Sequence, residues 1–354
     1  MCWYWKGIKY HFDMLMKCWK HTLIRCVAVF SVLSVHFFLN NGFYGEVVNG
    51  TRMYIMVLMR TFFMICVPLF LILTGYLMCN KRLSKSYPYG VIRTLVLYIL
   101  ASLFCMLMKG VVFHESYSLN NIIVHLLKFS GAGYSWYIRM YFGLYLLIPF
   151  INLFWNGLKS KTQHQVLVLA ALMITILPSV LNNYKNIVPG RCASLYPITY
   201  YLIGTYIRKY DIKIKKKTNL MLLVPCIIAF GTLNYFLNRY QTFQYTRLVH
   251  WGSFENIIDA VLIFLLFLHM PLQNIHEWGR KVILKISELS LVIYLVSECF
   301  DRLFYGILNT KVPVMQKRLE WYPVIVLSVF CCSMIVAQVI VWVYNFVYKK
   351  CKGV

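Results

Sequence analysis

Acidic residues are scarce in this chain of 354 residues, which has 11 Asp and Glu against 36 Lys and Arg. Charged residues of both signs make up 13% of the chain, whereas soluble domains contain about 25%. A soluble chain of this length would fold as about two domains, and each would need a polar surface that this composition cannot supply. The scarcity of charge therefore excludes an ordinary soluble protein.

The motifs of common metal, phosphate and hydrolase sites are missing as well. The 12 cysteines show no Cys-x-x-Cys or Cys/His spacing that would predict a metal site, and the adjacent Cys331 and Cys332 lie in an apolar run. No Gly-rich phosphate loop, HExxH helix or GxSxG turn occurs. We therefore expect no bound metal, and the sequence does not support a metalloprotease or an α/β-type serine hydrolase.

Apolar residues are abundant instead, at 60% of the chain with 17% aromatic residues and a mean hydropathy of +0.64. A helix needs about 20 mainly apolar residues to cross a membrane. Ten such runs occur, at about 23–41, 54–78, 90–109, 136–155, 165–182, 192–207, 219–237, 254–271, 282–305 and 322–348. No linker divides them, so we predict one all-α membrane helix bundle of about ten spans over residues 1–354.

The distribution of basic residues predicts the orientation of the bundle. With the N-terminus in the cytoplasm, the inside segments carry 21 Lys and Arg and the outside loops carry 11, counting Lys185 and Arg247 outside. Because cytoplasmic loops are enriched in Lys and Arg, both termini are predicted to be cytoplasmic. The net charge of +25 is then a topological signal rather than a sign of a nucleic-acid partner. The cluster Lys213–Lys217 is interpreted as a lipid-facing loop, with an anionic-cofactor site as the alternative.

The first predicted span carries two ionisable residues, Arg25 and His36, in the segment IRCVAVFSVLSVHFF. Eleven residues at 100° each amount to three turns and about 20°, so both side chains lie on one stripe, about 16 Å apart along the axis. An arginine near the cytoplasmic boundary can hold the phosphates of a donor. An imidazole deeper in the bundle can accept a proton from a hydroxyl. The alternative is that Arg25 extends to the interface and His36 hydrogen-bonds a neighbouring helix.

Further ionisable residues lie in or beside the later spans, where charges normally mark a bundle interior or a functional pathway. Glu298 and Arg302 are spaced to pair on one helix face, and Asp301 adds a second acid, so this segment is interpreted as a structural pair or a cluster at the outer interface. The alternative is a carboxylate that orients His36. Asp259 shares a face with Glu255 and is a candidate contact for a polyhydroxylated acceptor. For Arg139, the alternatives are an interface anchor and a part of the donor site.

Several segments, taken in order, are similar to one family of membrane enzymes. The first span has the pattern Arg, ten residues, His, and the second ends in Thr74-Gly75-Tyr76-Leu77 before the basic Lys81-Arg82. Three later segments follow: SWYIRMYFGLYLLIPFI, YPITYYLIGTYIRK and ISELSLVIYLV. Over about residues 20–345, this series resembles the integral-membrane acyltransferase-3 family.

The resemblance implies transfer of an acyl group, commonly acetyl from acetyl-CoA, to a hydroxyl of a surface carbohydrate. It places His36 and Arg25 at functional positions, and it implies that Arg82, Lys85 and Tyr76 lie near the donor. The chain departs from the family pattern in three places. Ser297 stands where the late span usually has a histidine, Lys85 replaces an arginine, and Tyr134-Ser135 lack a histidine that often precedes the fourth-span Trp. The lysine keeps the charge but loses bidentate phosphate recognition.

We therefore expect an acyl-CoA-dependent O-acetyltransferase in the cell membrane, with a bacterial inner membrane as the expected location. His36 is the expected base, and Glu298, Asp259 and Arg139 are acceptor-side or supporting candidates. The expected partners are membrane lipids, a carbohydrate acceptor and proteins of envelope biosynthesis. Two other functions fit the polytopic build: an exporter of a glycan or small solute, and a sensor that has lost catalysis.

Overall fold

The computed structural model describes residues 2–182, 189–244, 250–270 and 276–352, with side chains described between residues 21 and 348. Lys185 and Arg247, which were counted in the outer loops, lie outside the described residues. The described part contains α-helices, three short 3-10 helices at 43–45, 190–195 and 315–321, and no β-strand. The predicted all-α bundle is confirmed.

Twelve α-helices follow one another in the described part of the chain. Their bounds are α1 Cys2–Asn40, α2 Gly50–Phe63, α3 Cys66–Met78, α4 Tyr89–Phe113, α5 Leu119–Leu127, α6 Trp136–Gly157, α7 Lys161–Leu181, α8 Tyr196–Tyr210, α9 Lys216–Asn238, α10 Phe254–Leu268, α11 Glu277–Lys311 and α12 Tyr322–Lys352. Ser160 caps the start of α7 in a capping box with Gln163, which explains why this helix begins at Lys161.

Seven segments in the described residues are long and apolar enough to cross a membrane, which supports a multi-pass membrane protein. They are His21–Asn40, Gly50–Met78, Tyr89–Phe113, Trp136–Gly157, Lys161–Leu181, Lys216–Asn238 and Met315–Tyr348. The other three predicted spans correspond to α8 and α10, which have 15 residues each, and to α11. The count of ten spans and the cytoplasmic termini stay predictions.

The second predicted span, 54–78, is two helices rather than one. α2 ends at Phe63 and α3 begins at Cys66, and the amides of Met64 and Ile65 between them donate to carbonyls three residues back. Pro68, in the first turn of α3, has no N–H to donate to the carbonyl of Met64, so an uninterrupted helix would lose a hydrogen bond here. The proline therefore accounts for the break, which lies beside the cavity described below.

Two glycines allow α3 and α8 to pack at very short distance. A Cβ on Gly75 would lie 2.0 Å from the carbonyl oxygen of Tyr201, and a Cβ on Gly204 would lie 2.0 Å from that of Ile72. Any side chain at either position would force the two backbones apart, so this close approach requires glycine.

Helix α1 lies in the middle of the bundle and packs against α2, α3, α10, α11 and α12. Helix α11 runs beside it and also contacts α4 and α12. This arrangement brings residues that are more than 260 positions apart in the sequence onto facing helices. It sets His36 of α1 opposite Asp301 of α11.

Candidate active site

A cavity of about 910 Å³ runs between α1, α3, α4, α6 and α11. Most of its wall is apolar, and the ionisable side chains on the wall are Arg25, His36, Arg93 and Glu288 together with several tyrosines and Cys66. A large, mainly apolar cavity with a few converging polar groups is the usual form of a small-molecule site. The cavity is therefore the candidate active site of this chain.

Arg25 and His36 both line this cavity. They lie eleven residues apart on α1, so the helical rise separates them by about 16 Å along the axis. Arg25 is half-buried, whereas only 7% of the surface of His36 is exposed. The stripe predicted from their spacing thus faces one cavity, with the cation and the imidazole towards opposite ends.

The Arg25 end of the cavity is lined by Arg25, Arg93 and Glu288. Arg93 and Glu288 are exposed, so the cavity opens to the outside of the protein here. The Glu288 carboxylate lies 3.1 Å from the Nζ atom of Lys285, which compensates its charge. Two arginines on the wall therefore give this end a positive character that suits an anionic ligand such as a phosphate.

At the other end, the imidazole of His36 faces a buried carboxylate. Nδ1 of His36 lies 3.2 Å from Oδ2 of Asp301, and only 1% of Asp301 is exposed. The two atoms are at ion-pair distance, but their geometry is not that of a hydrogen bond. A carboxylate this close can stabilise the positive charge of an imidazole that acts as a base.

Tyr134 holds this pair in place. Its hydroxyl donates to Oδ2 of Asp301 at 2.8 Å and accepts from Nδ2 of Asn40 at 3.0 Å. The phenol ring lies against the imidazole, with 3.8 Å between the ring centroids. Tyr294 lies about two turns before Asp301 on α11, and its hydroxyl donates to the carbonyl of Tyr134. These contacts fix the relative positions of α1, α11 and the chain before α6.

Glu298 lies one turn before Asp301 on α11 but has different partners. Its Oε1 lies 2.6 Å from Nζ of Lys109, and its Oε2 accepts from the amide of Gly133, next to Tyr134. The expected pairing of Glu298 with Arg302 on one helix face is wrong. Arg302 binds Glu115 instead, because the neighbouring chain around α4 presents a lysine to Glu298 and a carboxylate to Arg302.

Glu115 belongs to the loop between α4 and α5. Hydrogen bonds from Tyr117 and from Arg302 lower the pKa of this carboxyl below its ordinary value. The cluster ties the loop to the end of α11, on the same side of the bundle as His36. It is exposed, so its contribution to the free energy of unfolding is small.

The other residues predicted for the donor side do not line the cavity. Arg82 and Lys85 are exposed on the loop that follows α3, four and seven residues after the wall residue Met78. Tyr76 is half-buried on α3, and its hydroxyl accepts a hydrogen bond of 3.0 Å from Arg208, whose guanidinium lies 4.9 Å from the ring centroid. Only Arg25 of the predicted donor set is on the wall.

The acceptor-side candidates are also spread over the fold. Asp259 is 99% buried on α10, one turn after Glu255, and it is not part of the cavity wall. Arg139 is exposed on the first turn of α6, outside the wall. Within the described residues, no three His, Cys, Asp or Glu side chains are placed to hold a metal ion.

The sequence offered a carboxylate of this segment as the group that orients His36, and the structure shows that Asp301 is the carboxylate facing the imidazole. Tyr134 and Arg93 were not singled out as site residues. Tyr134 occupies a position where the resemblance leads one to look for a histidine. Its contact with His36 depends on the packing of the chain before α6 against α1, which spacing within one helix cannot reveal.

A protein-family model described as an acyltransferase domain, Acyl_transf_3, matches residues 22–341, which is nearly the whole chain. The match includes the cavity and the pair of His36 and Asp301. No curated protein and no solved structure matches the chain.

Proposed function

Since this chain belongs to the acyltransferase-3 family, we propose that it transfers an acyl group, acetyl first of all, from cytosolic acyl-CoA to a hydroxyl of a cell-envelope carbohydrate or its precursor. The observation that carries the proposal is one cavity with Arg25 towards one end and His36, backed by Asp301, towards the other. A donor phosphate and an acceptor hydroxyl can enter such a cavity from opposite ends.

On the donor side, Arg25 and Arg93 bind the phosphates of acyl-CoA at the Arg25 end. Guanidinium groups bind phosphate oxygens in pairs of parallel hydrogen bonds, and they stay charged at every relevant pH. The pantetheine arm then extends along the apolar wall towards His36. Arg82 and Lys85 add charge to the loop just beyond the wall residue Met78, so they attract the nucleotide from outside the cavity.

The chemistry is a single acyl transfer assisted by a general base. Nε2 of His36 removes the proton of the acceptor hydroxyl while the hydroxyl oxygen attacks the thioester carbonyl carbon. The tetrahedral intermediate collapses by breaking the carbon–sulfur bond, and the imidazolium returns its proton to the leaving thiolate. The products are an ester and free CoA. Asp301 stabilises the transient imidazolium, and Tyr134 keeps the carboxylate in position.

We place the reaction in the membrane that encloses the cytoplasm, a bacterial inner membrane in the first instance. Membrane lipids surround the bundle, and envelope-biosynthesis proteins supply the acceptor. Support for this placement is the apolar composition, the seven segments long enough to span a bilayer and the excess of basic residues in the predicted cytoplasmic loops.

A transfer assay with His36→Ala tests the function directly. Purified protein in lipid nanodiscs is supplied with labelled acetyl-CoA and a panel of glycans, and the acetylated product is measured by mass spectrometry. We expect kcat to fall about 10²- to 10⁴-fold, the usual contribution of a positioned base. The matched control is His276→Asn, which replaces the exposed histidine at the N-cap of α11 by another residue that can cap the helix, and it keeps wild-type activity.

Unchanged transfer by His36→Ala removes the proposed base. Movement of a glycan across proteoliposomes in the absence of acyl-CoA, without any acylated product, favours the exporter instead.

A further inference from the structure

The end of the cavity beyond His36 has an aromatic wall. Trp136, the first residue of α6, and Trp251, just before α10, both line the cavity there, and their rings stack with centroids 5.8 Å apart and an interplanar angle of 29°. Both are half-buried rather than fully exposed, so they are held by the protein. The hydroxyl of Tyr200 donates to the carbonyl of Trp251 at 2.7 Å and anchors the second ring.

Tyr44 adds a polar group to the same wall. Its oxygen accepts a hydrogen bond of 2.9 Å from Nε of Arg60, a residue with no exposed surface, whose guanidinium also lies 5.0 Å from the ring centroid of Phe243. Because Arg60 is a donor only, the O–H of Tyr44 points to another acceptor. Arg60 thus fixes the position of the hydroxyl of Tyr44, a residue of the cavity lining, and leaves its proton for a different partner.

We propose that Trp136 and Trp251 form a platform for the apolar face of a pyranose ring, with Tyr44 donating to one of the sugar oxygens. This inference rests on the proposed function and identifies where its acceptor binds. A pyranose has a flat face of C–H groups that carry small positive charges, and the negative face of an indole attracts them. The polar rim of the sugar needs separate hydrogen-bond partners, and Tyr44 provides one of them.

The position of the platform also restricts which hydroxyl can meet the base. Trp136 follows Tyr134 by two residues, and Tyr134 lies against His36, so the platform is on the His36 side of the cavity. A ring fixed on one face and at one hydroxyl has few orientations left. An open-chain polyol has as many hydroxyls but no such face, and it is not held.

Saturation-transfer NMR on the protein in nanodiscs tests the platform. The probes are methyl β-D-glucopyranoside, methyl β-D-galactopyranoside and N-acetylglucosamine, with mannitol as the open-chain control. We expect ring C–H signals for at least one pyranose and none for mannitol. Trp251→Leu weakens the apparent affinity about three- to tenfold, and Trp251→Phe, which keeps an aromatic face, weakens it less.

The matched control is Trp278→Leu, because Trp278 is 71% exposed at the start of α11 and leaves the affinity unchanged. Equal signals for mannitol and the pyranoses, no binding of any pyranose, or full affinity in Trp251→Leu with a folded protein each overturn the platform. The proposed function is assessed separately by acetyl transfer. Sugar binding without transfer refutes the function alone, and transfer with an unchanged sugar KM in Trp251→Leu refutes the platform alone.

Discussion

Replacing Asp301 by asparagine tests whether its carboxylate supports the base. Asp301→Asn keeps the size of the side chain and an oxygen that accepts from Tyr134, but it removes the negative charge 3.2 Å from Nδ1 of His36. Both side chains are buried, with 1% of Asp301 and 7% of His36 exposed, so solvent screens the lost interaction only weakly. The imidazolium of the transition state is then left without its counter-charge.

The expected loss is large. Replacing the carboxylate behind a catalytic histidine in a serine-protease triad lowers kcat about 10⁴-fold, and general acid–base catalysis as a whole contributes about 10²- to 10⁴-fold. We therefore expect kcat to fall by about 10² to 10⁴, or about 3–5 kcal/mol in the activation free energy. The KM for acetyl-CoA should stay within about twofold, since the carboxylate is remote from the proposed phosphate site.

The assay follows release of the CoA thiol and acetylation of a methyl pyranoside by the protein in nanodiscs. Asp211→Asn is the matched control, because Asp211 pairs with Lys213 on an exposed turn and has no contact with the cavity. Thermal unfolding of both variants shows whether they are folded. A folded Asp301→Asn protein with more than a third of the wild-type kcat would refute the role given to this carboxylate.

Three further predictions concern single residues. Arg25→Ala raises the KM for acetyl-CoA about 10- to 100-fold, as expected for a lost charge-assisted hydrogen bond, while the exposed Arg52→Ala does not. Tyr134→Phe lowers kcat about tenfold, measured with saturating substrates, because Asp301 loses a hydrogen-bond donor. Hydrogen bonds lower the pKa of Glu115, so Glu115→Gln lowers Tm slightly at neutral pH, and the difference disappears as the pH falls through the lowered pKa.

Each of these predictions has its own contradicting result. A normal KM in Arg25→Ala places the donor phosphates elsewhere, and wild-type kcat in Tyr134→Phe shows that Asp301 needs no help from the phenol. A Tm difference for Glu115→Gln that persists after the carboxyl has been protonated shows that the interaction does not depend on the ionised carboxyl.

The helical bundle and the shared face of Arg25 and His36 on α1 were predictable because they depend on local patterns. Apolar runs of about 20 residues predict spans, and a spacing of eleven residues places Arg25 and His36 on one face of α1 regardless of what surrounds them. The break between α2 and α3 was less predictable. Pro68 was visible in the sequence, but only the packing around the cavity decides whether a proline bends a helix or divides it.

Partners across the bundle were not predictable from one sequence. The choice of Asp301 rather than Glu298 to face His36 depends on how α11 is rotated against α1, and a rotation of one residue changes which carboxylate faces inward. The charges of Lys109 and Glu115 then determine the partners of Glu298 and Arg302. Such contacts between distant segments are set by tertiary packing, which neither hydropathy nor spacing encodes.

A structure of the protein with a non-hydrolysable acetyl-CoA analogue, determined by electron cryo-microscopy in nanodiscs, would show where the donor binds. We expect phosphate oxygens about 3 Å from the guanidinium of Arg25. We also expect the pantetheine arm inside the cavity and the acyl carbonyl beside the imidazole of His36. An analogue bound on another face of the bundle, with its acyl group outside the cavity, would refute the proposed site.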